Sequence, residues 1–223
     1  TVGSVVDLWR KAGEEGRKPS AEELARAKKK TGYKKLLLDR KKKTVRLAVD
    51  GMRIDLGAIA KGYAIDRAVE AMKAAGAVGG LVDVGGDIRC FGKPVRKSQW
   101  VIGLQDPDVE SDILLALGLI NMSVATSGDY RRFVVVDGEK YGHIMNPASG
   151  SSVRDFASVS VIAPSAIDAD ALATVASVVG AAAGLDLIES LSRTEALLLP
   201  SDSADDVQYT SGFEQYIISY QSD

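Results

Sequence analysis

Asp55-Leu56-Gly57-Ala58-Ile59-Ala60-Lys61-Gly62-Tyr63, with the run that follows it to Gly85-Gly86-Asp87, decides the fold. Ala58 to Ala75 carries Ile59, Tyr63, Ala64, Val69 and Met72 at spacings that share a helical face, and Gly76 stops the helix. Gly80 to Val84 is then an apolar strand ending in paired glycines and a carboxylate. Working upstream, Ser20 and Glu23 form a capping box for a helix that stops near Gly32. Tyr33 to Asp39 and Thr44 to Val49 flank a basic turn and read as a hairpin. Downstream, strands are expected at residues 88–91, 100–105, 123–126, 133–137, 159–163, 195–199 and 216–220, with helices over 166–180 and 185–191. Strands and helices mix without strict βαβ alternation, and no period of 20 to 50 residues recurs. The fold class is therefore α+β, with helices packed on a largely antiparallel sheet.

Composition narrows the function classes. The chain has 223 residues, is 46% hydrophobic and carries a formal charge of −2, so no basic excess points to nucleic acid or an anionic membrane surface. Its mean hydropathy is +0.01, as for a globular protein with a sizeable core. The single cysteine, Cys90, excludes an intrachain disulfide and reads as a buried strand residue. The longest apolar region, Ala171 to Leu187, is Ala- and Gly-rich, falls short of a membrane span, and reads as buried helix. The lysines at 28–30 and 41–43 read as a solvated helix end and hairpin tip. Thr1 opens the chain with neither Met nor a charged-then-apolar leader, so the sequence is expected to be a fragment.

Four constellations carry chemistry. At Asp55 to Tyr63 a strand is expected to end at a carboxylate and a helix to begin. Its free N–H groups with Lys61 suit a pyrophosphate, the alternative being that Asp55 caps the helix and Lys61 is solvated. Gly85-Gly86-Asp87 reads as a close approach to a ligand or as an ordinary turn. Thr126 to Arg132 precedes His143-Ile144-Met145-Asn146-Pro147, where the chain's only histidine stands beside an Asn-Pro turn. A lone histidine is more often structural, but an imidazole with its ordinary pKa of about 6.5 suits a general base. Asp170 and Thr174, four apart, share a helix face and offer two hard oxygens for Mg²⁺. The other reading makes Asp168 or Asp170 an N-cap and bonds Thr174 back to a carbonyl.

In this order, Asp-Leu-Gly-x-x-x-Lys-Gly-Tyr, Gly-Gly-Asp, Thr-Ser-Gly-x-x-x-Arg, His-x-x-Asn-Pro-x-x-Gly and Ala-Asp-Ala-x-x-Thr resemble the ApbE family, the FAD:protein FMN transferases. The opening Thr1-Val2-Gly3-x-Val5-Val6-x-Leu8-Trp9 resembles it too, so the likeness runs nearly end to end. The resemblance implies an ApbE-like fold, with residues 1–223 forming the C-terminal two-thirds of the domain and its N-terminal part missing. It implies FAD contacts at Asp55, Lys61 and the backbone of Ile144, and Mg²⁺ held by the Ala58 carbonyl, Asp170 and Thr174. His143 matches the proposed catalytic histidine. The implied activity is Mg²⁺-dependent transfer of FMN from FAD to a Ser or Thr hydroxyl of an acceptor protein, a redox-complex subunit, with release of AMP. FAD pyrophosphatase and a non-catalytic flavin-binding module are the alternatives. Family resemblance also implies a location outside the cytoplasmic membrane, as a lipoprotein or periplasmic protein. Two residues depart from the pattern: Ser4 stands where Pro is usual, and Asn146 where Asp is common.

Overall fold

The computed structural model describes residues 1–107, 109, 112–128, 133–201 and 206–218. Its helices are α1 (Gly3–Glu15), α2 (Ala21–Lys29), α3 (Ala60–Ala74), α4 (Ala166–Val179) and α5 (Ala181–Glu189). The first strands are β1 (Leu36–Asp39), β2 (Thr44–Leu47), β3 (Gly80–Val84), β4 (Asp87–Phe91), β5 (Trp100–Gln105), β6 (Ile113–Leu119) and β7 (Ser123–Gly128). They are followed by β8 (Phe133–Val136), β9 (Glu139–Gly142), β10 (Phe156–Ala163), β11 (Glu195–Pro200), β12 (Gln208–Tyr209) and β13 (Ile217–Ile218). Every strand pair among the described residues is antiparallel, as the α+β expectation requires. The chain divides into two compact units, Thr1–Leu56 with Asp129–Arg154 and Gly57–Gly128 with Asp155–Asp223.

In the first unit α1 buries Val5, Trp9 and Ala12, residues four and three apart on one face. The Trp9 ring stacks on Tyr141 with centroids 4.4 Å apart, and its Nε1 donates to the Gly150 carbonyl at 2.7 Å. The β8–β9 hairpin closes on Asp137-Gly138, both at positive φ, the backbone that a two-residue turn between twisted strands demands. The capping box on α2 forms as expected, Ser20 Oγ accepting from Glu23 N and Glu23 accepting from Ser20 N.

The second unit is built on a six-stranded sheet in the order β12-β11-β10-β7-β4-β3. Alternation along β11 sends Ala196 and Leu198 to the side of α4 and α5, and Leu197 and Leu199 to the other face. There they meet Ile102, Leu104, Leu117 and Leu119 of a three-stranded sheet, β13-β6-β5. Both faces of the larger sheet are thus covered, and β10 and β11 are buried along most of their length. Cys90 is fully buried on β4.

Several elements depart from the sequence reading. Residues 52–56 form no strand, so Asp55 does not end one. α1, β6, β9 and β12 are additional elements, and Ser4 lies in the first turn of α1. The apolar region 171–187 is broken at Gly180, whose φ of +87° favours glycine, so it forms parts of two helices. The strand expected at 216–220 is reduced to Ile217–Ile218 behind a 3₁₀ turn, Phe213–Tyr216, and residues 219 and 220 lie outside the described residues. On α3 the buried face is Gly62, Ile65, Asp66 and Val69, whereas Ile59 and Tyr63 are exposed. The inward face thus combines Ile65 and Val69 with a glycine at a close approach and a bonded carboxylate.

Candidate active site

β3 and β4 are joined by Gly85-Gly86, both at positive φ, and Asp83 Oδ1 accepts from Gly86 N at 2.8 Å. The paired glycines therefore make a hairpin turn, and that turn delivers Asp87 to the start of β4. Two residues on, Arg89 projects from the same side of the strand. Both face α3, which packs across β3 and β4. Lys61 Nζ sits 2.6 Å from Asp87 Oδ2, a charge contact without the alignment of a full hydrogen bond, while Asp87 Oδ1 accepts from Thr126 N at 3.3 Å. Five residues along α3, Asp66 pairs with Arg89.

α3 starts without a side-chain cap of its own, because its N-cap residue is Ile59. The orphan N–H of Gly62 in its first turn is taken by Asp170 Oδ2 of α4 at 2.9 Å. This resolves one alternative left by the sequence. Asp170 caps a neighbouring helix rather than its own, which is capped by Ser165 accepting from Asp168 N. Thr174, one turn beyond Asp170, has its Oγ1 3.3 Å from Ser127 Oγ on β7 instead of bonding back to a carbonyl. The helices touch because position 62 is glycine: a Cβ there would stand 2.3 Å from the Ala166 carbonyl oxygen.

Asp87 and Asp170 are 2% and 4% exposed, and Lys61 is set against Asp87. Burial pushes the Asp87 carboxyl above its usual range; Lys61 draws it down, the Asp170 charge pushes it up again, and the Thr126 N–H draws it down. Asp66 and Arg89 balance each other, so the cluster holds one more carboxylate than cation and favours a further positive charge. Among the described residues no three His, Cys, Asp or Glu side chains converge, so a metal here would draw on hydroxyl and carbonyl oxygens as well. A carboxylate, a hydroxyl and a main-chain oxygen are the hard donors Mg²⁺ takes, with water or phosphate completing its shell. Asp170 and Thr174, one turn apart on α4, are a carboxylate and a hydroxyl of that kind.

The structure thus gathers Lys61, Asp170 and Thr174 on contacting elements of the second unit, to which Ala58 also belongs. Asp55, His143 and Ile144 belong to the first unit. His143 is exposed, on a loop leaving β9, and Ile144 beside it is buried. Asn146 shapes that loop: its Oδ1 accepts from Ala148 N at 2.8 Å and its carbonyl accepts from Gly150 N at 2.8 Å. Residues 129–132, including the Arg132 of the Thr126 to Arg132 motif, lie outside the described residues. Sequence reasoning assigned no role to Asp66 and Arg89; a carboxylate on an otherwise apolar helix face was the signal available.

The profile of the ApbE family matches residues 1–198. The chain belongs to the ApbE family. Among curated relatives, the FAD:protein FMN transferase of Haemophilus influenzae is 32% identical over 222 residues, covering 96% of this chain and 64% of that protein. The FAD:protein FMN transferase of Treponema pallidum is 33% identical, covering 90% of this chain and 60% of its own. This ApbE-family chain therefore spans a little under two-thirds of the length of the curated relatives it matches. Among solved structures, the ApbE protein of Thermotoga maritima superposes with a TM-score of 0.87 at 37% identity, over 98% of this chain and 71% of that one. The apo flavinyl transferase ApbE of Pseudomonas stutzeri gives 0.80 at 30% identity, over 97% and 67%. The α+β architecture is thus the fold of the ApbE structures.

Proposed function

We propose that this ApbE-family chain acts in the transfer of FMN from FAD to a Ser or Thr hydroxyl of an acceptor protein, releasing AMP. The observation that carries the reading is the meeting at the start of α3 of Lys61, the amides of the first helical turn and the Asp170-bearing turn of α4. Amides and an ammonium there suit a diphosphate, as helix N-termini generally do. Ala58 by its carbonyl, Asp170 by its carboxylate and Thr174 by its hydroxyl would hold Mg²⁺. Bound there, the ion supplies Lewis-acid neutralisation of phosphate charge. Lys61 orients the same phosphates, and its pairing with Asp87 keeps the ammonium at the helix start until an anion arrives. In the transfer, the acceptor oxygen forms a bond to the FMN-side phosphorus while the bond to the AMP oxygen breaks. His143 takes the acceptor proton. Asp55 and the Ile144 backbone are proposed to contact FAD.

The test is incubation with FAD and Mg²⁺, with and without a Ser/Thr-containing acceptor domain, read by intact mass and by AMP release. An acceptor heavier by one FMN group supports the reading; free FMN and AMP at equal rates with or without acceptor would replace it by FAD pyrophosphatase. Neither product would leave a flavin-binding module. General-base assistance contributes about 10²–10⁴-fold, so His143→Ala should slow transfer by about that factor while FAD binding is kept. An unchanged rate removes His143 from the reaction.

A further inference from the structure

We infer that Asp66, tied to Arg89, is a positioning residue that sets where α4 presents Asp170 and Thr174; the inference rests on the metal reading above. Asp66 stands between Ile65 and Val69 on the buried face of α3 and is itself 5% exposed. A carboxylate in that place is costly unless its oxygens are filled. Three donors fill them: Arg89 Nη1 and Ala166 N at Oδ1, the latter at 2.9 Å, and Ile167 N at Oδ2, 3.1 Å away. Ala166 and Ile167 are the first two residues of α4, and their N–H groups have no partner within that helix.

The arrangement is reciprocal. From α3, Asp66 fills the start of α4; from α4, Asp170 fills the start of α3 through Gly62 N. Each carboxylate lies four residues beyond the amide its partner binds, 66 after 62 and 170 after 166. The three crossed bonds clamp one turn of α3 to one turn of α4, with Gly62 in close contact with the Ala166 backbone. Packing alone does not explain the choice of residue. A buried ion pair is weak evidence for stability, and an apolar side chain of similar size usually does as well. Nor does α4 need a foreign cap to begin, since Ser165 and Asp168 already form one. What a carboxylate adds is direction, because it holds two amides and a guanidinium at once. Any shift of α4 that broke those bonds would carry Asp170 and Thr174 away from Gly62 and Ser127, their present partners.

The experiment is a titration of the full chain with Mn²⁺ alone, followed by electron paramagnetic resonance, with a thermal melt of every variant. Wild type should bind Mn²⁺ in competition with Mg²⁺, Asp170→Ala should lose that site, and exposed Glu70→Gln should bind as wild type. Groups that orient metal ligands typically control affinity by about 10–100-fold. Asp66→Asn is therefore expected to bind Mn²⁺ about 10–100-fold more weakly, with an altered spectrum, at temperatures where it is folded. A purely structural Asp66 would lower the melting temperature and leave affinity and spectrum of the folded protein unchanged, which overturns the inference. If Asp66→Asn does not fold, Arg89→Lys decides in its place: weakened Mn²⁺ binding supports the inference, and wild-type binding overturns it. No Mn²⁺ binding by wild type, or undiminished binding by Asp170→Ala, overturns the metal reading and this inference with it.

Discussion

At the scale of single residues, the chemistry rests on buried charges that meet defined partners. Asp87 shows how opposed effects are weighed: burial raises its pKa, Lys61 lowers it, and the raised value means that burial wins. A carboxyl raised in the folded state contributes stability that is fully present below its unfolded pKa and is lost as pH rises through the folded one. Two shifts are expected from nuclear magnetic resonance of the Asp87 carboxyl. It should titrate above an ordinary aspartate, and Lys61→Met should move its midpoint further up. A midpoint that ignores the loss of Lys61 would show that the contact has no electrostatic role. The sequence marked Lys61, Asp170 and Thr174 because their motifs, taken in order along the chain, resemble those of the ApbE family. It left Asp66 unmarked because one acidic residue among apolar neighbours looks the same whether it is solvated or buried.

At the scale of elements, the site depends on how near two helices come. Gly62→Ala would ordinarily favour a helix by about 1 kcal/mol. Here the added Cβ would meet the Ala166 carbonyl at 2.3 Å, and backbone cannot swing aside as a long side chain can. Overpacking typically costs about 1–3 kcal/mol, so the variant should melt below wild type and the Gly62–Asp170 bond should lengthen. A variant that melts higher would mean the helices have room to separate. Legibility at this scale followed local signals. The α2 capping box was plain because both partners lie three residues apart, and the β3–β4 turn because it needs glycines. α1 was missed because Val2, at its N-cap, makes no capping bond and the helix carries no acidic first turn. β6 was missed because an almost unbroken apolar run such as Ile113–Leu119 shows neither period.

At the scale of the whole molecule, motif order along the chain identified the family before any contact was known, and the ApbE fold followed from it. Sheet order did not. The sequence gives no local sign that β4 should pair with β7, or that β10 should lie between β7 and β11. Those pairings are set by which faces must be buried together. They bring β4, with Asp87 and Arg89, and α4, with Asp170 and Thr174, to α3. The central claim is that this convergence holds a divalent ion for a diphosphate. Crystals grown with FAD and Mn²⁺ test it most directly through anomalous scattering. The account predicts a peak bonded to the Ala58 carbonyl, the Asp170 carboxylate and the Thr174 hydroxyl; a peak elsewhere, or FAD bound with no peak at these atoms, would contradict it.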